Sequence, residues 1–83
     1  MINNLEREII SIVSDISGVD PEEITPDTIL AKDLEIDSIK AIEIVVAVEK
    51  KYKISVRDED IPNITTPGQI VDITKRLLGQ KDN

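Results

Sequence analysis

Few residues of this 83-residue chain could do chemistry. It contains no cysteine and no histidine, which removes disulfides, thiolate metal clusters and imidazole base catalysis together. What remains is carboxylates and hydroxyls, and they gather in Asp33-Leu34-Glu35-Ile36-Asp37-Ser38, just ahead of an apolar run. Asp33, Glu35 and Asp37 could work as paired carboxylates, but so short a chain offers little depth for the desolvated pocket that would drive their proton affinities apart. The run Asp58-Glu59-Asp60 lacks the alternation and the later glutamate of a calcium loop, and three scattered glycines do not build a phosphate cradle. No metal site is expected, and the chain does not read as an enzyme.

Ser38 stands out for its position, not for any intrinsic reactivity. With no histidine and no visible lysine dyad to take its proton, any reaction at the hydroxyl needs a base from another protein. Asp37 is placed to cap a helix and Ser38 to be its first residue. A serine there is exposed, held by a rigid element, and close to backbone N–H groups at the positive end of the helix dipole, so a phosphodiester attached to it would be stabilised. The residues alone favour a plain helix start, and an attachment point is compatible with it.

The elements that would hold this serine follow from apolar spacing. Leu5, Ile9, Ile12, Val13 and Ile16 recur at helical intervals over 4–17, with Asn3 and Glu6 placed as a capping box and Gly18 placed to stop the helix. Asp20-Pro21-Glu22-Glu23 reads as a short capped turn that Pro26 prevents from growing. From Ile24 to Asp37 the chain reads as a long loop, pinned by Ile29, Leu30, Leu34 and Ile36. Ser38–Lys53 is rich in β-branched residues that would suit a strand. Periodicity decides for a helix: Ala41, Ile42, Val45, Val48 and Tyr52 form one stripe, with Glu43–Lys50 and Glu49–Lys53 as supporting pairs. Ile39 and Val46 lie off that stripe on a second face and are candidates for partner contact. Arg57–Ile61 could form one turn before Pro62. Thr66-Pro67-Gly68-Gln69 then carries the signals of a helix start, predicting a last helix over 67–78 ended by Gly79. The expectation is an all-α single domain over 1–83: three main helices, one short helix and a long first loop, with 80–83 a frayed tail.

Composition narrows the partners. Apolar content of 40% with Tyr52 as the single aromatic describes a soluble domain with an Ile, Val and Leu core. A domain of this size buries only about 60% of its unfolded surface, so its margin of stability is thin. The formal net charge of −7 argues against nucleic acid and for a basic protein partner. That charge is uneven, −8 over residues 1–39 and +1 over 40–83. The longest apolar run, Ile44–Val48, is far too short to span a membrane, and "MINNLERE" lacks a signal-peptide layout. A cytoplasmic monomer is the expectation.

The stretch "DLEIDSIKAIEIVVAVEKKYKISVRDEDIPNITTPGQI" resembles the acyl carrier proteins. The shared features are an Asp-Ser-Leu-like tripeptide opening a long helix, here Asp37-Ser38-Ile39, a charged turn ending in an aromatic at Glu49–Tyr52, an acidic segment at Ile54–Asp60, and Ile64-Thr65-Thr66. The resemblance implies a four-helix bundle and a non-catalytic carrier. Ser38 would receive 4'-phosphopantetheine from coenzyme A through a phosphopantetheinyl transferase that also recognises Asp37, and the arm's thiol would hold acyl groups as thioesters for fatty-acid, lipid or polyketide-type biosynthesis. It further implies an acyl-chain pocket drawn from Leu30, Ile42, Ile44, Val48, Ile61 and Ile64. Docking of ligases, synthases or acyltransferases would fall on Ile39, Lys40, Glu43, Val46 and Val56. Two departures stand out: Lys40 occupies a position where an acid is usual, and Glu35-Ile36 replace the usual glycine and small residue. The segment Ser38–Lys53 is net +2, which shifts acidic docking toward the loop and suggests a specialised carrier. The alternatives are an aminoacyl or peptidyl carrier, although Glu35-Ile36-Asp37-Ser38 lacks the Gly-Gly-x-Ser approach, and an unmodified acidic helical adaptor.

Overall fold

The computed structural model describes residues 4–81 and, among these, contains helices and no strand. Helix α1 spans Asn4–Ser17, α2 Leu30–Asp33, α3 Ser38–Tyr52 and α4 Pro67–Lys81; short 3-10 turns occupy Pro21–Glu23 and Asp58–Asn63. Helix α1 lies at the centre, packed against α3, α4 and the first 3-10 turn. Its fully buried Ile9 and Val13 meet Ile44 and Val48 of α3, Ile70 and Val71 of α4, and Ile24, Leu30 and Ile36 from the first loop in one core. With no phenylalanine or tryptophan and its one tyrosine, Tyr52, at the core's edge, the fold relies mainly on interlocking β-branched side chains, which are stiff and lose little freedom on burial.

Local signals set most of the boundaries. Gly18 closes α1 in the left-handed region at φ 78°, its N–H on the Ser14 carbonyl at 2.8 Å. Asn3, expected in the N-terminal capping box, lies outside the described residues. The Pro21–Glu23 turn forms where expected, but the Asp20 side chain does not cap it; the Asp20 carbonyl accepts the Glu23 N–H instead. At α4 the capping box is complete. The Gln69 side-chain oxygen accepts the N–H groups of Thr65 and Thr66, and the Gln69 N–H donates to the Thr66 hydroxyl.

Four sequence expectations need correction. The first loop is not wholly irregular, because the Asp33 carboxylate accepts the Ile29 N–H at 2.9 Å and so closes the single turn α2. The later short turn runs through Pro62 to Asn63 as a 3-10 helix and does not stop before the proline. Helix α4 continues through Gly79 to Lys81, since a glycine in the right-handed region weakens a helix without ending it; the tail expectation for 82 and 83 falls outside the described residues. On α3 the buried stripe is Ile44, Val45 and Val48, with Ala41 and Tyr52 packed at its edge, while Ile42 is 48% exposed. The helix is turned so that Ile44, about 200° around from Ile42, faces α1.

Candidate functional site at Ser38

The approach to Ser38 is built by a sharp reversal. Glu35 adopts φ 54°, a left-handed conformation that costs a non-glycine residue on the order of 1 kcal/mol. The reversal lets Ile36 turn back into the core, 5% exposed, with its N–H on the Leu30 carbonyl at 3.1 Å. Burial of that isoleucine, worth roughly 1.5–3 kcal/mol, holds the strained residue in place. The chain leaves Ile36 with Asp37 and Ser38 both exposed.

Asp37 is the N-cap of α3: its carboxylate accepts the Lys40 N–H at 2.9 Å and its carbonyl accepts the Ala41 N–H at 2.9 Å. Ser38 is the first helical residue. The first-turn N–H groups of Ser38 and Ile39 fall outside the helical hydrogen-bond ladder and make up the positive end of the dipole. Lys40 adds a positive charge in the same turn. A phosphate ester on the Ser38 oxygen therefore meets free backbone donors at the helix start while keeping solvent access, so the donor set fits 4'-phosphopantetheine.

Asp37 and Ser38 stand at the rim of an apolar cleft of about 410 Å³, within the ~300–1,000 Å³ typical of small-molecule sites. Its walls include Leu30, Ile36, Ala41, Ile42, Ile61 and Ile64. The walls are α2, the start of α3 and the segment around the second 3-10 turn, and the Leu30 N–H bonds to the Thr65 carbonyl at 3.0 Å between the first and the last.

Of the residues expected in a pocket, Leu30, Ile42, Ile61 and Ile64 come together here, whereas Ile44 and Val48, each 1% exposed, lie in the core away from the cleft. Ala41, Ile36 and Thr65 line it without having been expected in a pocket. Ala41 was legible as apolar on the α3 stripe; the pocket positions of the other two depended on the Glu35 reversal and on how the chain before α4 docks. Ile39, Lys40, Glu43 and Val46 are all exposed on the outward side of α3. Val56 is elsewhere: its N–H donates to the Glu49 carboxylate at 2.8 Å, at a level about 16 Å along the helix axis from Ser38.

Among the described residues no cluster of acidic side chains is arranged to hold a metal ion, and no helix is long and apolar enough to cross a membrane.

Residues 7–73 match the family described as "Phosphopantetheine attachment site". The chain is 40% identical over 70 residues to an acyl carrier protein of Rhodococcus erythropolis, covering 84% of this chain and 77% of that one. It is 32% identical over 77 residues to an acyl carrier protein of Buchnera aphidicola, covering 93% and 99%. A meromycolate extension acyl carrier protein of Mycobacterium leprae is 38% identical over 69 residues, which cover 83% of this chain but only 60% of that relative's length. The helical fold, the capped serine and the match across most of the sequence agree, and the chain belongs to the acyl carrier protein family, whose phosphopantetheine-attachment domain carries 4'-phosphopantetheine.

Proposed function

We propose that this protein is a non-catalytic acyl carrier, with Ser38 as the attachment point of 4'-phosphopantetheine. The observation that carries the reading is the exposed Ser38 at the capped start of α3, on the rim of an apolar cleft. When bound, the group supplies a flexible arm ending in a thiol that holds acyl groups as thioesters. The chain's own residues present and shelter. Asp37 fixes the helix start, so the serine oxygen is offered in one orientation to a phosphopantetheinyl transferase. One of its carboxylate oxygens caps the Lys40 N–H, and the chain has no histidine to take the serine proton, so the base is assigned to the transferase.

Leu30, Ile42, Ile61 and Ile64 form the acyl-binding part of the cleft. Each methylene moved there from water contributes up to about 0.8 kcal/mol, enough to keep a short chain on the protein between encounters yet release it to a competing enzyme pocket. Ile44 and Val48 support that wall from within the core. Ile39, Lys40, Glu43 and Val46 form the docking face for acyl ligases, synthases or acyltransferases, and Val56, placed apart from them, is left out of it. The similarity extends equally to plain acyl carrier proteins and to ones named for meromycolate extension, so it favours fatty-acid or lipid biosynthesis without choosing a cargo. A cytoplasmic setting suits exchange with coenzyme A.

The test is mass spectrometry after incubation with coenzyme A and a broad-specificity transferase. The parent protein gains one phosphopantetheine and Ser38→Ala gains none. An unmodified parent, or a modified Ser38→Ala protein, would sink the assignment.

A further inference from the structure

The outward face of α3 has an unusual make-up. Along its centre run Ile39, Glu43, Val46 and Lys50 at spacings of four, three and four residues, the repeat that keeps side chains in line on a helix. Ile39 is 71% and Val46 39% exposed, and Ile42, 48% exposed, joins this line to the cleft beside Ser38. Three large apolar side chains left in water within eight residues of one helix form a contact patch, not the scattered exposure of an ordinary surface. The charges around them favour the cationic sign. Lys40, Lys50 and Lys51 are exposed, against an exposed Glu43 and a half-buried Glu49 that accepts the Val56 N–H, so the helix is net positive by one. Lys40 and Lys50 take part in neither of the ion pairs found among the described residues, Arg57–Glu59 and Arg76–Asp60. The opposite sign begins abruptly on the other side of the serine, at Asp33, Glu35 and Asp37.

The geometry points to a partner protein whose docking groove for α3 is apolar in the middle and acidic at its rim. Such a groove takes Ile39, Ile42 and Val46, sets carboxylates against Lys40 and Lys50 and one hydrogen-bond donor against Glu43, and reserves its other basic residues for the loop at Asp33–Asp37. This deepens the carrier reading and rests on it for the partner's role, but the surface itself exists without the modification. The reason is charge complementarity. A uniformly basic groove would place cations against Lys40 and Lys50, which costs affinity and suppresses wrong partners, while an acid rim gains attraction at the same positions. The break in sign at Ser38 also orients the docked helix, because only one direction satisfies both the loop and α3.

The probes are two helical peptides with the same apolar face, one flanked by glutamates and one by lysines, titrated into ¹⁵N-labelled full-length Ser38→Ala protein. Using that variant keeps the result independent of phosphopantetheine loading, so failure here and failure of the carrier assignment are separate events. The glutamate-flanked peptide should shift the amides of Ile39–Lys50 and bind the Lys40→Glu, Lys50→Glu double variant about tenfold more weakly, with binding to the parent weakened by added salt. The lysine-flanked peptide should shift residues 33–37 instead. Equal or stronger binding of the lysine-flanked peptide to α3, or an α3 face that responds to neither, overturns the inference. Concentration-dependent shifts of the same amides without peptide also overturn it and make the face a contact between copies of this chain.

Discussion

Gly68 and Gly79 both lie in α4, and the structure assigns opposite consequences to the same substitution. Gly68 donates its N–H to the Pro26 carbonyl at 2.9 Å, and a Cβ built on it would lie 2.9 Å from that same oxygen. The obstacle is backbone, so it cannot rotate away. Relief of the overlap must push the first loop off the start of α4 and stretch the hydrogen bond. Losing that bond costs about 1 kcal/mol, and overpacking of this kind about 1–3 kcal/mol. The better helix propensity of alanine returns less than about 1 kcal/mol. Gly68→Ala should therefore destabilise by roughly 1–3 kcal/mol, lowering the melting temperature by about 5–15 °C for a domain of this size. Gly79 has nothing within 4 Å of its would-be Cβ, so Gly79→Ala should gain up to about 1 kcal/mol, a rise of roughly 4 °C. Thermal unfolding by circular dichroism of parent and both variants is the assay. A Gly68→Ala protein melting at or above the parent would refute the reasoning that the Pro26 contact holds the first loop, and with it the approach to Ser38, against α4.

Other outcomes follow from the same structure. Asp37→Ala should cost about 1 kcal/mol and speed hydrogen exchange at the Lys40 amide, whereas Asp37→Asn, which still caps, should do neither; equal behaviour of the two would count against the cap. Burial, and then the bond to Glu8 at 2.5 Å, hold the Tyr52 phenol well above its ordinary range. The folded state thus keeps a proton that the unfolded chain loses near pH ~10, so stability is full below that pH and falls as pH rises beyond it. An alkaline absorbance titration should show a late phenol, brought earlier by Glu8→Gln; an ordinary phenol titration in the parent would contradict the packing of Tyr52. Because the first 39 residues carry −8, melting temperature should rise between low salt and ~0.15 M, where the screening length shrinks to about 8 Å. A salt-independent melting temperature would show that the repulsion is already balanced within the fold.

Local sequence and tertiary structure divided the outcome in a way that has physical reasons. The three long helices, the Gly18 stop, the Thr66–Gln69 capping box and the capped start at Asp37-Ser38 were legible because each depends on residues within one or two turns. Periodicity alone overruled the β-branched character of α3. The same periodicity does not determine how a helix is rotated against its neighbours. Ile42 and Ile44 are two positions apart and equally apolar, and only the packing of α1 decides that Ile44 is buried and Ile42 opens onto the cleft. Nor could composition reveal the Glu35 reversal, since a left-handed glutamate is unfavourable locally and persists because Ile36 is buried beyond it. The sequence by itself determined that a serine would stand exposed at a helix start in a chain without thiol or imidazole. The tertiary structure decided that this serine stands on the rim of an apolar cleft, because that cleft is made by segments distant in sequence whose meeting no local rule encodes.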